Sequence, residues 1–249
     1  MKILATYNIK GGVGKTAAAV NLAHLAARGG ARVLLWDLDP QGAATFYFRV
    51  KAKVKGGTKK LLQKGADAGE RVRGTDFPGL DLLPADFSYR HMDIVLDGAK
   101  NPARRLARLL APLEPEYDYA FLDCPPSISL VSEAVFGVAH ALLVPIIPTT
   151  LSLRTLEQIL AFRERAGLGG ALALLPFFSL VDRRKRLHRE ILEALPAERP
   201  ELLRSHVPYA AEVERMGVRR QPLTAYAPRC ASARAYEKLW EEILERIEG

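Results

Sequence analysis

The chain has 249 residues, of which 49% are hydrophobic and 26% are charged, so it can bury a large core and does not belong to the disordered class. Its two cysteines, Cys124 and Cys230, cannot build a disulfide framework or a four-thiolate metal site. No apolar run approaches the roughly 20 residues of a membrane span, and the first residues lack the layout of a signal peptide. We therefore expect a cytoplasmic protein.

The formal net charge of +8 is concentrated in three stretches. Residues 41–75 hold nine basic residues against two acidic ones, residues 182–189 hold five against one, and residues 215–234 hold five against none. The rest of the chain is therefore acidic. Such a distribution favours a polyanionic partner, although three solvated loops would give the same counts.

Short β-rich runs alternate with amphipathic helical stretches along the chain. This alternation predicts an α/β fold in which a mostly parallel twisted sheet carries helices on both faces. Strands are predicted at residues 2–7, 32–36, 80–83, 117–122, 141–146, 171–178 and 203–207. Helices are predicted near residues 15–28, 102–111, 129–138, 151–166, 184–195 and 232–247. No repeat or linker divides the chain, so we predict a single domain over residues 1–249.

A glycine-rich loop connects the first predicted strand to the first predicted helix. It includes the residues Lys10, Gly11, Gly12, Val13, Gly14, Lys15, Thr16 and Ala17. Glycines let the backbone curl so that its N–H groups face a polyphosphate, and the helix N-terminus adds partial positive charge. Lys15 is placed to reach the β- and γ-phosphates, and the Thr16 hydroxyl to hold Mg²⁺. The strict G-x-x-x-x-G-K-[ST] pattern is not met, because Ile9 stands where its first glycine belongs.

A pair of acidic residues follows the strand predicted at 32–36. Ligands of open α/β sheets bind at the carboxyl ends of strands, so acids at this point lie near the phosphate loop. Alternation with period two turns Asp37 and Asp39 to the same side, while Leu38 packs inward.

A third motif follows the strand predicted at 117–122. There an apolar run ends in Asp123-Cys124-Pro125-Pro126-Ser127. An apolar strand that finishes in Asp is the Walker B layout, in which the carboxylate holds Mg²⁺ directly or through water. Cys124 has no histidine near it in sequence, which favours a small buried residue over a thiolate nucleophile.

In order and spacing, these three motifs resemble the ParA/MinD group of P-loop NTPases with a deviant Walker A loop, and among them the short, Soj-like ParA partition ATPases. The resemblance implies an ATPase that uses ATP and Mg²⁺, in which Lys10 reaches the nucleotide of a second subunit in a homodimer. It also implies that Asp39 positions the attacking water and that Asp37 supports Mg²⁺. Lys10, Lys15 and Asp39 are then the catalytic residues, and Thr16, Asp37 and Asp123 serve the metal.

The C-terminal half matches the family less well. Val207-Pro208 and the later Pro222 resemble the stretch in which the family contacts adenine, so the resemblance implies a nucleotide contact at Pro208. The family's usual residues are replaced at three places, namely by Tyr209, by Arg215-Met216 and by Arg220-Gln221. The side-chain partners of adenine therefore stay open.

Eight basic residues in this half resemble the surface by which ParA dimers hold DNA without reading its sequence. They are Arg183, Arg184, Lys185, Arg186, Arg189, Arg215, Arg219 and Arg220. The first five are predicted to open a helix with inward-facing Leu187, Ile191, Leu192 and Leu195. An arginine-rich solvated face is the alternative interpretation.

Residues 46–64 show an alternation of apolar and basic side chains that is typical of a strand. Such a strand is either a lysine-lined sheet edge or an added element that contacts DNA or a partner. The related ATPases more often have a short helix here.

The predicted C-terminal helix carries five glutamates opposite an apolar face. Anionic lipid would repel it, so it is expected to pack on the domain rather than to bind a membrane.

Together these features predict a ParA-like ATPase that dimerises on ATP, binds double-stranded nucleoid DNA nonspecifically, and is released when a ParB-like protein or a cargo adaptor stimulates hydrolysis. No segment that reads DNA is expected before the first strand. The alternatives are a MinD-like membrane-positioning ATPase, an iron–sulfur carrier on the same fold, which would need paired cysteines, and a module that senses ATP with little turnover.

Overall fold

The computed structural model describes residues 1–168 and 172–248. The strands are β1 (Lys2–Thr6), β2 (Val33–Asp37), β3 (Arg73–Gly74), β4 (Leu80–Leu83), β5 (Tyr119–Asp123), β6 (Ala141–Ile146), β7 (Ala173–Val181) and β8 (His206–Pro208). The helices are α1 (Lys15–Arg28), α2 (Ala43–Tyr47), α3 (Gly57–Leu61), α4 (Met92–Asp97), α5 (Pro102–Leu110), α6 (Leu130–Phe136), α7 (Thr150–Arg165), α8 (Arg186–Glu198), α9 (Ala211–Glu214), α10 (Met216–Arg219), α11 (Leu223–Tyr226) and α12 (Ala231–Glu248).

The strands form one eight-stranded sheet in the order β3-β4-β2-β5-β1-β6-β7-β8. Every neighbouring pair is parallel except β3 and β4. In register, Asp123 of β5 lies opposite Thr6 of β1 on one side and Asp37 of β2 on the other. The predicted α/β class is confirmed, and the carboxyl ends of the three central strands meet at one edge.

Side chains of the sheet alternate between two apolar cores, one on each face. Along β1, Ile3 and Ala5 belong to the core that also contains residues of α4 to α7, whereas Leu4 belongs to the core with α1 and α12. Because both faces are covered, the central strands are apolar throughout instead of alternating with polar residues.

Most predicted elements are present, and many of their ends are shifted by one or two residues; larger differences occur in the C-terminal half. The strand predicted at 171–178 is β7, although residue 171 lies outside the described residues. The strand predicted at 203–207 is the shorter β8, and the helix predicted from residue 184 begins at Arg186. Leu187, predicted to face inward, is 43% exposed, and His188 is buried in its place.

The strand predicted within residues 46–64 is wrong. The segment instead contains the end of α2, an irregular stretch and α3. Arg49, Gly56 and Gly57 have positive φ angles of 60°, 83° and 60°, which an extended strand does not allow. Phe48 and Val54 would share one face of a strand, but they pack in different cores. The segment therefore passes from one layer of the fold to the other.

The C-terminal helix α12 packs on the body of the protein, as predicted. Its buried residues include Tyr236, Leu239 and Ile243, and the ring of Trp240 meets those of Tyr119 and Phe121. Burial of an aliphatic side chain such as Leu239 or Ile243 contributes roughly 1.5–3 kcal/mol relative to exposure. Among the described helices, none has the length and hydropathy that crossing a bilayer requires.

Candidate functional site

The phosphate loop lies between β1 and α1, as the sequence predicts. Gly12 and Gly14 adopt positive φ angles of 71° and 94°, a region that residues with a Cβ rarely enter. A Cβ on Gly14 would also lie 2.7 Å from Oγ of Ser179. The φ angle of Gly14 therefore favours glycine at this position, and a Cβ there would also require the Ser179 hydroxyl to move.

Asn8 connects the phosphate loop to β6 through two hydrogen bonds, and it was not predicted from the sequence as a site residue. The side chain is fully buried; its Nδ2 donates to the carbonyl of Pro145 at 2.8 Å, and its Oδ1 accepts from the N–H of Lys10 at 2.9 Å. A polar residue directly between an apolar strand and a glycine-rich loop was the available signal.

The side chain of Lys15 folds back into the phosphate loop. Its Nζ donates to the carbonyl of Lys10 at 3.0 Å, and only 7% of the residue is exposed. Burial lowers the pKa of the Lys15 ammonium, while Asp123, Cys124 and Asp39 act in the opposite direction. The side chain of Lys10 is itself exposed, so the two lysines occupy different environments.

Asp123 is a fully buried carboxylate with one oxygen unused. Its Oδ1 accepts a hydrogen bond from the Thr6 hydroxyl at 3.3 Å, whereas its Oδ2 has no hydrogen-bond partner among the described residues. Burial raises the pKa of Asp123 well above its usual value; the Asp37 carboxylate adds to the rise, and the side chains of Thr16 and Lys15 oppose it. A buried carboxylate oxygen with no partner, close to a threonine hydroxyl, fits a divalent cation with oxygen ligands.

Asp37, the other buried carboxylate, is fully used by the protein. Its Oδ2 accepts from the N–H and the hydroxyl of Thr45 at 2.8 and 2.7 Å, and its Oδ1 accepts from the N–H of Asp39 at 3.3 Å. Burial raises the pKa of Asp37 to about 6, against the effect of the Thr45 hydrogen bonds. Asp37 therefore positions α2, and its support of Mg²⁺ stays a prediction.

Asp39 lies just beyond these two carboxylates and is only partly buried. Its Oδ1 accepts a hydrogen bond from the N–H of Gln41 at 2.9 Å. Leu38, between the two acids, is 1% exposed, in agreement with the predicted alternation. Asp39 also acts on the pKa values of Lys15 and Asp123, so all three acids belong to one electrostatic group.

The segment after Asp123 is hydrogen-bonded to the residues that lead into the phosphate loop. The Tyr7 hydroxyl donates to the carbonyl of Ser127 at 2.9 Å, and burial raises the pKa of Tyr7 to about 12. Cys124 is 1% exposed, and burial raises the pKa of its thiol. The prediction of a buried, unreactive Cys124 is consistent with both facts. Tyr7 was not singled out from the sequence.

Side chains in the region predicted to contact adenine make contacts within the protein. Pro208 ends β8, and the Tyr209 hydroxyl donates to Glu214 at 3.0 Å. Met216 is fully buried, and its Sδ lies 3.4 Å from Nδ2 of Asn21 in α1. Met216 therefore belongs to the core, and the contact of Pro208 with adenine stays a prediction.

The predicted DNA-binding residues are mostly exposed, and several are already engaged. Arg184 pairs with Asp182 at 2.8 Å, and Arg186 pairs with Glu190 at 2.6 Å. The side chain of Arg189 donates to the carbonyl of Arg183 at 2.8 Å. Arg183, Arg184 and Lys185 precede α8 rather than lying in its first turn, which corrects the prediction. Arg215 and Arg219 are exposed on a second face, and Arg220 is half-buried beside them.

Neither cysteine forms a disulfide, and Cys230 is only partly buried. Within the part of the chain that the structure describes, no three His, Cys, Asp or Glu side chains gather into a metal-binding group.

Comparison with known proteins gives a matching family model and relatives that align over nearly the full chain. The family model described as an AAA domain matches residues 1–167. The chain is 34% identical over 251 residues to the chromosome-partitioning ATPase Soj of Thermus thermophilus, with 98% of this chain and 96% of that protein covered. It is 31% identical over 256 residues to the chromosome partitioning protein ParA of Caulobacter vibrioides, with 99% and 95% covered.

A solved structure resembles the fold over the same length. Cobyrinic acid a,c-diamide synthase from Mycobacterium smegmatis, with a bound ATP analog and magnesium, superposes with a TM-score of 0.83 at 27% identity. The alignment covers 99% of this chain and 95% of that chain.

Proposed function

The chain belongs to the AAA-domain family, with the ParA and Soj partition ATPases as its relatives, and on that basis we propose that it is an ATP-driven DNA-binding switch. In this proposal two ATP-bound subunits form a dimer that holds double-stranded DNA nonspecifically. Hydrolysis, stimulated by a ParB-like protein or a cargo adaptor, releases the DNA. The cellular role is chromosome or plasmid partition or cargo positioning, in the cytoplasm and on the nucleoid.

One observation carries the proposal, namely the unpartnered Oδ2 of buried Asp123 beside the phosphate loop. A buried carboxylate without a partner is costly unless a ligand completes it. Thr16 and Asp123 would hold Mg²⁺ there, and the loop N–H groups with Lys15 would hold the phosphates. When bound, the cation neutralises negative charge that develops on the phosphates.

The roles proposed for Lys10 and Asp39 depend on the exposure of their side chains. Lys10 directs an exposed side chain outward while its carbonyl holds Lys15, which suits a contact with the nucleotide of the other subunit. Asp39 is partly exposed, and the hydrogen bond from Gln41 goes to its Oδ1; its Oδ2, which accepts no hydrogen bond among the described residues, would orient a water molecule. No side chain of this group is a ready nucleophile, because the Cys124 thiol is buried with a raised pKa. Catalysis then rests on positioning and charge stabilisation.

The DNA contact is proposed for the exposed basic residues around α8 and α10. Their side chains would meet phosphates, so binding would be insensitive to sequence, weak for each subunit and strongly salt-dependent. A dimer presents the surface twice, and its two contacts act as one bivalent contact. DNA affinity would then follow the nucleotide state.

The test is binding to a nonspecific DNA duplex, without nucleotide and with ADP or ATP, at low and moderate salt. Wild type is compared with Lys15→Ala, Asp39→Ala and Arg186→Ala/Arg189→Ala. The variant Arg104→Ala/Arg108→Ala, which removes two exposed arginines from α5, is the matched control for charge. We expect binding with ATP only, lost in Lys15→Ala, prolonged in Asp39→Ala, weakened in the α8 variant and kept in the α5 control.

Two results would contradict the proposal. Absence of DNA binding in every nucleotide state would remove the DNA role and leave the ATPase. Equal weakening in the α8 variant and the α5 control would show that net charge, rather than this surface, attracts DNA.

A further inference from the structure

A basic cavity lies between α3 and α5, and no residue of the phosphate loop lines it. Its volume is about 760 Å³, within the range of roughly 300–1,000 Å³ that small organic ligands occupy. Neither the sequence motifs nor the proposed ATPase cycle uses this cavity.

The charge of the lining is strongly unbalanced. Five cationic residues line the cavity, namely Lys64, Lys100, Arg104, Arg105 and Arg108, against the single carboxylate of Asp67 in the described lining. That carboxylate already accepts a hydrogen bond from the N–H of Gly69 at 2.7 Å. None of the five cations takes part in a salt bridge among the described residues. Like charges gathered in a concave site repel each other unless an anion binds between them.

The walls of the cavity are fixed by the fold. Nε of Arg105 donates to the carbonyl of Leu62 at 2.5 Å, which joins α5 to the end of α3. The Asn101 side chain accepts from the N–H of Arg104 at 2.8 Å and caps α5. A site whose walls are already ordered loses little conformational freedom when it binds a ligand.

The lining also has an apolar part. Leu61, Leu62 and Leu109 are buried members of the core, and Pro112 lines the cavity with them. The cations next to this apolar part therefore match a ligand that carries both several negative charges and an apolar or aromatic group. A DNA duplex does not fit, because its phosphates lie on a convex rod that cannot enter a cavity of this size.

We propose that the cavity between α3 and α5 is a second anion site, which binds a small organic polyphosphate of the nucleotide class. The exposed guanidinium groups of Arg104 and Arg108 and the ammonium groups of Lys64 and Lys100 contact the phosphates. Pro112, which is exposed, contacts the face of the base, and the buried leucines form the wall behind it. The site is separate from the phosphate loop and does not depend on the proposed DNA switch.

The test is direct binding by calorimetry in a Lys15→Ala background, which weakens the phosphate loop. The probes are GTP and inorganic tripolyphosphate, which carry the same kind of charge with and without a base. We expect both to bind and GTP to bind more tightly, by about tenfold if the base contributes about 1.4 kcal/mol. Hydrogen exchange with GTP should slow at residues 61–67 and 98–109 and not at residues 10–17.

The variant Arg104→Glu/Arg108→Glu should lower the affinity for both probes by at least about tenfold, since two phosphate contacts become repulsive. Arg234→Glu/Lys238→Glu makes the same change in net charge at two exposed residues of α12 and should change the affinity much less. Lys64→Ala/Lys100→Ala, in two loops, gives a milder second variant if the charge reversal disturbs folding.

Two outcomes would overturn the proposal. The first is no binding of either phosphate probe; if a glutamate-rich peptide binds instead, the cavity is a docking site for an acidic protein segment. The second is equal loss of affinity in the α5 and α12 variants.

Discussion

The guanidinium of Arg220 lies over the ring of Phe46, 4.4 Å from its centroid, and its Nε donates to the Phe46 carbonyl at 3.1 Å. Phe46 follows Thr45, which donates two hydrogen bonds to Asp37. The basic C-terminal segment is therefore joined through α2 to the carboxylate at the end of β2. This contact gives Arg220 a structural role besides the predicted contact with DNA.

The substitution Arg220→Lys separates the two roles. Lysine keeps the charge, but it lacks the planar group that both stacks on Phe46 and donates in a fixed direction. We expect Arg220→Lys and Arg220→Ala to lower ATP hydrolysis alike, by severalfold, because α2 is less firmly held. Arg215→Ala, at an exposed neighbour, should leave hydrolysis without DNA unchanged. Full activity in Arg220→Lys would show that charge alone matters at this position.

The stability of the nucleotide-free protein should depend on pH through Asp37. Its folded-state pKa is raised to about 6 by burial, above the unfolded value of about 3.9. The folded state then binds the proton more tightly, so this group's contribution to stability is present below about pH 4 and is lost as the pH rises to about 6. Relative to Asp37→Asn, wild type should lose roughly 1–3 kcal/mol over that range.

Urea unfolding of both proteins between pH 4 and 7, with EDTA present, measures this difference. The Asn variant is the reference because it keeps the shape and an acceptor oxygen for Thr45. A difference that stays constant across the range, or grows in favour of wild type, would contradict the raised pKa of Asp37.

Asp123→Asn should stabilise the apoprotein and remove its response to ligand. The substitution replaces a fully buried carboxylate that has one unpartnered oxygen, and burying a charge without a partner is costly. We expect the apo Tm to rise and the further rise on adding ATP and Mg²⁺ to disappear. Asp39→Asn, at a partly exposed acid, is the matched control and should leave the apo Tm nearly unchanged. A lower apo Tm in Asp123→Asn would disprove the unfavourable burial.

Gly14→Ala should destabilise the protein and abolish nucleotide binding. At a φ of 94° the new Cβ would meet Oγ of Ser179 at 2.7 Å, and the left-handed region alone costs roughly 1–2 kcal/mol. Gly11→Ala is the control, since no atom lies within 4 Å of its Cβ position and its φ is not positive. Thermal unfolding and ATP binding should differ between the two; equal behaviour would mean that the loop tolerates a side chain at position 14.

The order of the strands and helices could be predicted from the sequence, and so could the glycine-rich loop and the two acidic motifs. Each of these depends on residues that are close together in the chain. The apolar run at residues 119–122 predicts a strand, and Asp123 at the end of that run predicts a metal ligand at the sheet edge. The strand predicted within residues 46–64 was wrong because it, too, rested on a local pattern, the alternation of apolar and basic side chains. The path of the segment depends instead on the positive φ angles of Arg49, Gly56 and Gly57 and on two separate cores.

The tertiary structure alone decided which distant residues complete the site. Asn8 bonds to Pro145, Tyr7 to Ser127 and Arg220 to Phe46, and these pairs are separated by 137, 120 and 174 positions. Such contacts follow from the register of β1, β5 and β6 and from the way that the C-terminal segment packs on α1 and α2. These contacts leave no periodic pattern in the sequence. The sequence by itself therefore determined which chemical groups the site contains, and tertiary packing determined how those groups are held in position.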